Sequence, residues 1–315
     1  MVSTRWIEKR KPHWERLEEI VGRSGTRGLR AFSYGELQEF GLLYRQVAAD
    51  LSSVREDPAS ARLATYLNQL LARAHNLIYM GRRSRPGGIG RFYSSGFPQV
   101  FRATFNYTLA AFAVFAAAAV AGFLASLGDP MFQRFFLGGP MSDTIEQRKM
   151  WTESIVTIKP LASSAILTNN MTVAFATFAM GITAGIGTVY MMAMNGLMLG
   201  VIGAACLQAG MGASLAEFVS PHGVLELPAI FIAGGGGLLI ARGLVFPGAL
   251  SRRDALVFYA GQGVRLALGI IPILFVAGVI EGFVSPSHFP AAGKFVLAAV
   301  AGGLFTLYLT RVGAN

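Results

Sequence analysis

Apolar positions recur at helical spacing through the first eighty residues and then merge into long unbroken runs. In the first third, three amphipathic helices are expected. The first, 4–21, sets Trp6, Ile7, Trp14, Leu17 and Val21 near one stripe. The second opens at Ser33, with Glu36 at capping-box spacing, and carries Leu37, Phe40, Tyr44, Val47, Leu51 and Val54 on one face. It stops by Asp57-Pro58. The third, 59–80, buries Leu63, Leu67, Leu70, Ala74 and Leu77. "GRRSRPGGIGRF" then reads as a basic, glycine-rich linker.

Beyond it the pattern changes to that of a membrane domain, because a helix needs about 20 apolar residues to cross the hydrocarbon core. Residues 105–127 carry no charge, and no Asp, Glu, Lys or Arg lies between Lys159 and Glu217. The second run has room for two crossings, with a hairpin at 192–198 around Asn195-Gly196, a turn signal. Three further spans are bracketed by Glu226 and Arg242, Arg265 and Glu281, and Lys294 and Arg311. The predicted fold is therefore all-α: a cytoplasmic helical domain (1–81), a linker (82–104) and a membrane helix bundle (105–315). Its spans are placed near 105–127, 170–191, 195–212, 224–246, 265–284 and 293–311. Five crossings replace six if the middle pair is re-entrant.

Charge orients this picture. Of 27 Lys and Arg, 17 precede residue 105, against 9 of the 17 Asp and Glu. By the positive-inside rule the N-terminal domain and the C-terminus face the cytoplasm, and 128–169, 212–223 and 285–292 lie outside. Lys294 is the exception. The basic excess fits topology and anionic lipid, so no nucleic-acid partner is expected. The N-terminus lacks the apolar core of a secretory signal. A single cysteine, Cys206, precludes an intramolecular disulfide.

Candidate chemistry is sparse. There is no His-Glu-x-x-His, nucleophile elbow, Walker loop or Cys-x-x-Cys, and no cofactor is called for. The Gly234–Gly237 run falls inside a span, where close helix packing explains it better than phosphate binding. His13 and His75 have no ligand partner at suitable spacing and read as solvated or helix-packing residues. What remains is a polar set on the predicted outer side: Glu217, His222, Glu226, Glu281 and His288. Two readings stay open. Ser220-Pro221 begins a helix with Glu226 in its first turns and His222 bonded to loop backbone; or His222 and Glu226 form a metal site with Glu281 as third ligand. Asn169 and Asn170 are expected to cap the second span or bond across helices. Small-xxx-small spacing at Gly181/Gly185, Gly196/Gly200 and Gly278/Gly282 permits close packing or a homodimer.

"ILTNNMTVAF" (166–175), "NGLMLG" (195–200), "SPHGVLELPAIFIAGG" (220–235) and the order of spans around them resemble the stage II sporulation protein M family, over about residues 92–312. "LLYRQVAADLSSVR", "YLNQLLARAHNLIY" and the tryptophan-bearing first helix are similar to its longer members. The resemblance implies a multi-pass bacterial inner-membrane protein that acts as a non-enzymatic scaffold for envelope proteins. The alternatives are a small-solute or lipid transporter, whose spans would need facing polar residues, and an intramembrane metal-dependent hydrolase using His222 and Glu226.

Overall fold

The computed structural model describes residues 3–23, 32–80, 88–149, 159–287 and 289–313. These are helical with no strand among them, and they divide into two compact units.

The first unit comprises residues 1–87 together with 247–255. It is built on α1 (Thr4–Arg23), α2 (Tyr34–Arg55) and α3 (Ala61–Met80). The predicted stripes meet in one core: Trp14, Leu17 and Ile20 pack against Phe40, Val47, Leu51 and Val54, and against Leu67, Leu70, Ala74 and Leu77. The capping box forms as expected, with the Glu36 amide donating to Ser33 Oγ and the Ser33 amide to Glu36 Oε2. Leu37, expected on the inner face, is exposed. The unpredicted partner of this core is Asp50, buried where it accepts from Trp14 Nε1 at 2.8 Å and faces Arg10 at 3.4 Å. A buried carboxylate needs such partners because desolvation penalises its charge.

The second unit comprises residues 88–246 and 256–315. Its first stretch, read from sequence as linker, is helical. Gly88–Arg91 and a wide turn at Phe92–Gly96 lead into α4 (Phe97–Ala103), and Phe97 is fully buried. Then come α5 (Phe105–Gly128), two short helices α6 (Pro130–Leu137) and α7 (Gly139–Glu146), and α8 (Lys159–Ala179). They are followed by α9 (Ile186–Gln208), α10 (Gly212–Val245), α11 (Arg252–Gly269), α12 (Ile271–Phe283) and α13 (Ala291–Arg311). Among the described residues five stretches are long and apolar enough to cross a membrane: α5, α9, α10, the α11–α12 pair and α13.

Two expected boundaries are overturned. The hairpin placed at 192–198 lies in the middle of α9, where Asn195 Nδ2 donates back to Met191 O at 2.7 Å. The reversal comes earlier, at 180–185, through a 3-10 turn and two left-handed residues, Ala184 (φ 56°) and Gly185 (φ 87°). A reversal at 195 would strand backbone groups within the apolar layer, whereas the unbroken helix satisfies them and the Asn195 amide finds a carbonyl one turn back. Nor does Ser220-Pro221 start a helix. Pro221 and Pro228 are internal to α10, whose 34 residues extend roughly 51 Å. The cap reading of His222 and Glu226 falls with that boundary, and residues 212–223 form the first turns of α10.

The glycines explain how the bundle closes. A Cβ on Gly196 or Gly200 would strike the carbonyl oxygens of Phe115 and Ala119, so α9 lies directly against α5. Gly181 abuts Gly237 in the same manner. The four-glycine run is the hub: Gly234 meets Ala111 and Met192, Gly235 meets Thr108, Gly236 meets Phe178 and Gly263, and Gly237 meets Thr177 and Thr188. Backbone atoms of α5, α8 and α11 thus come against α10, and α9 reaches it through the Met192 and Thr188 side chains, which is how interfaces gain dispersion contacts where lipid supplies no hydrophobic drive. Gly278 and Gly282 are buried on α12. At the far end of the chain, the Arg102 guanidinium donates to the carbonyls of Leu309, Val312 and Gly313 and so closes α13.

Candidate functional site

On α10, His222 and Glu226 stand four residues apart and so share a face. Helix α12 brings Glu281 to that face from near its C-terminal end. Asn170 comes from α8, Ser285 from the turn after α12, and Lys294 from the first turn of α13. Four helices therefore converge on one polar cluster, and what the sequence aligned by depth the fold joins by contact.

The geometry has two halves. In one, Asn170 Nδ2 donates to Glu226 Oε2 at 2.8 Å and to Glu281 Oε2 at 2.9 Å, so a single amide nitrogen holds both carboxylates. One nitrogen or oxygen from each of His222, Glu226 and Glu281 lies within 4.8 Å of the others. In the other half, Lys294 Nζ donates to Glu217 Oε1 at 2.9 Å and to the Ser285 carbonyl at 3.0 Å. The Ser285 hydroxyl in turn sits 2.9 Å from His222 Nδ1. Phe218, one turn before His222 on α10, packs edge-on to its imidazole with centroids 5.5 Å apart. His222 and Ser285 are buried, at 6% and 2% exposure.

The predicted residues thus fare differently. His222, Glu226, Glu281 and Asn170 form the cluster, and Glu217 joins it through Lys294. Asn169 is exposed and reaches the cluster only by donating to Asn170 Oδ1 at 3.4 Å. His288 lies outside the described residues. His222 bonds to a serine side chain and not to loop backbone. Sequence reasoning missed Ser285 and the role of Lys294, although Lys294 had signalled itself as the charge that broke the topology rule. Its ion pair with Glu217 accounts for a lysine that is only 3% exposed.

Two carboxylates held side by side, with a histidine nitrogen facing them, can bind a cation or share a proton. Among the described residues neither Glu226 nor Glu281 is paired with a lysine or arginine.

Comparison with known proteins bears on two segments. The family described as Stage II sporulation protein M matches residues 108–286, which hold every member of the cluster except Lys294. A domain of unknown function matches residues 4–80, the span of α1–α3. An uncharacterised protein of Methanocaldococcus jannaschii is 27% identical over 124 residues, which are 38% of this chain and 54% of that protein. The chain therefore spans about half the length of this relative. No solved structure matches.

Proposed function

We propose that this chain, which belongs to the stage II sporulation protein M family, is a non-enzymatic scaffold in the cytoplasmic membrane, holding its α1–α3 unit inside as a docking module for envelope proteins. The observation that carries the reading is the separate core of that module. Its three helices close on their own core, with Leu17, Ile20, Val47, Leu67 and Leu70 fully buried. Its charged side chains are tied in surface pairs, such as Arg16 on Glu39 and Arg73 on Glu18. A module with a core of its own is suited to presenting a surface to partners. In the membrane unit, Gly181, Gly196 and Gly200 are filled by neighbouring helices of the same chain. Self-association would then use other surfaces. Photo-crosslinkers on the outer faces of α1 and α3, introduced in cells, are expected to trap a small set of membrane or envelope proteins. Crosslinks to none, with detergent-purified protein monomeric, would sink the reading.

The polar cluster favours a second reading, a cation-coupled transporter, because buried carboxylates on facing helices mark ion paths in many membrane proteins. Cation flux into proteoliposomes that is abolished in Glu226→Gln would support it over the scaffold.

A further inference from the structure

The geometry points to a divalent transition-metal site formed by His222 Nε2 and the carboxylates of Glu226 and Glu281, with Ser285 and Asn170 as outer partners. The imidazole is the decisive group. It is more than nine-tenths buried, its Nδ1 is taken by Ser285, and its Nε2 is aimed at Glu281 Oε1 from 3.8 Å. That distance is too long for a hydrogen bond. With the proton on Nδ1, the Nε2 lone pair confronts a carboxylate oxygen; with the proton on Nε2, the bond it would make is not formed. Either tautomer leaves Nε2 without a hydrogen-bonded partner among the described residues.

An ion between these atoms answers both problems. Two ligand bonds of about 2.1 Å can bridge up to ~4.2 Å, so the 3.8 Å gap accommodates one. Three ligands at about 2.1 Å from one ion stand roughly 3.4–3.6 Å apart, so the whole set, within 4.8 Å, closes around it by shifts of about an ångström in its carboxylates. Charge balances as well. With both carboxylates ionised and the imidazole neutral the set carries −2, which a divalent ion cancels at a place where net charge is costly. Among the described residues no side chain supplies that charge, since Lys294 is committed to Glu217 and the Ser285 carbonyl. The outer contacts match those of metal centres, where a ligating histidine is held by a hydrogen bond at its other nitrogen and ligating carboxylates are themselves hydrogen-bonded. The imidazole in the donor set favours ions of the zinc, iron and nickel kind over magnesium or calcium. Three protein ligands leave a coordination position open.

The test uses the full chain in detergent, stripped with a chelator and dialysed against Zn2+ with excess Mg2+. One zinc per chain is expected, with affinity at least ~10-fold lower in each of Glu226→Gln, Glu281→Gln and His222→Asn, while His75→Asn binds as wild type. Glu→Gln conserves shape, and helical circular dichroism of each variant reports folding. Because a variant that fails to fold says nothing, Co2+ replaces Zn2+ in the wild type and X-ray absorption reads its donors, expected to include one imidazole nitrogen among oxygens. Substoichiometric zinc, binding unchanged in the glutamine variants, or a cobalt shell without imidazole would overturn the proposal. So would an infrared band of a protonated carboxyl that disappears in Glu226→Gln while no zinc binds. None of these readouts depends on whether partner proteins dock.

Discussion

Gly122→Ala should loosen the membrane unit, whereas Gly303→Ala should tighten it. A Cβ on Gly122 of α5 would lie 2.6 Å from the Leu197 carbonyl oxygen of α9, and 3.2 Å from its Cα. Ordinary contact begins near 3.4 Å, so the helices must part by about 0.8 Å (3.4 − 2.6). The obstacle is backbone, which has no alternative rotamer. A separation of that size forfeits a quarter to a half of each dispersion well along the seam. The seam is long, since Gly200 and Gly196 make the same kind of approach to α5 about one and two turns before Gly122.

Overpacking of this type costs about 1–3 kcal/mol. Replacing glycine by alanine inside a helix returns up to about 1 kcal/mol through propensity. The net expectation for Gly122→Ala is a loss of about 1–2 kcal/mol, or ~2–8 °C in the unfolding midpoint for a unit of this size. Gly303, inside α13, has nothing within 4 Å of its Cβ position. There only the propensity gain applies, and the midpoint should rise by a few degrees. Both variants are compared in one detergent by circular dichroism during heating, with retained monomer confirmed by gel filtration. If they shift the midpoint in the same direction, backbone approach does not set the α5–α9 spacing and the packing argument is wrong.

Other expectations follow from the charged groups. Glu217→Gln should destabilise more than Lys294→Met, about 2–3 against ~1 kcal/mol, because the first strands a buried ammonium while the second leaves a carboxylate that is 36% exposed and hydrated; equal losses in the same melts would contradict this. Arg102→Gln removes the cap on α13 and should cost about 1–3 kcal/mol, with hydrogen exchange accelerated at 308–313 and little changed in α10. In the α1–α3 unit, the hydrogen bond from Arg73 holds the Glu18 carboxyl below the usual carboxylate range, aided by Tyr66 and opposed by desolvation. Its lowered folded value means that the stability it contributes is present above the unfolded pKa of about 4.3 and is lost as pH falls through the folded value. Glu18→Gln should flatten that acid slope, read by hydrogen exchange in α3.

What the sequence revealed, and what it hid, follows from the range of the interactions involved. The three helices of the first unit were legible because each has a polar side, and the 3.6-residue period survives as contrast: Val47, Leu51 and Val54 fell where the spacing put them. Helix α5 was legible by length alone. Between Lys159 and Glu217 that contrast disappears, and the choice of turn fell to local signals, Asn195-Gly196 against 180–185. Asn-Gly is the stronger turn former in water. In an apolar layer the ranking inverts, because a turn must satisfy its own backbone, and Gly196 is the only kind of residue that lets the Phe115 carbonyl lie against α9. The candidate site failed to show for a related reason. His222 and Glu226 are four apart and visible as a pair, but Asn170 lies 56 residues from Glu226 and 111 from Glu281, and Ser285 lies 63 from His222. No periodicity spans such intervals. The usable signal was energetic: a charge within an apolar run must have a partner. Applied to Lys294, that rule predicts the nearest acid across the bundle, and Glu217 at 2.9 Å satisfies it. Applied to Glu226 and Glu281, it finds an amide and a histidine nitrogen but no cation within the described chain. That want of a cation is why the cluster is proposed to take an ion from outside the chain, and why zinc binding rather than helix stability is the measurement that discriminates between an ion and a shared proton.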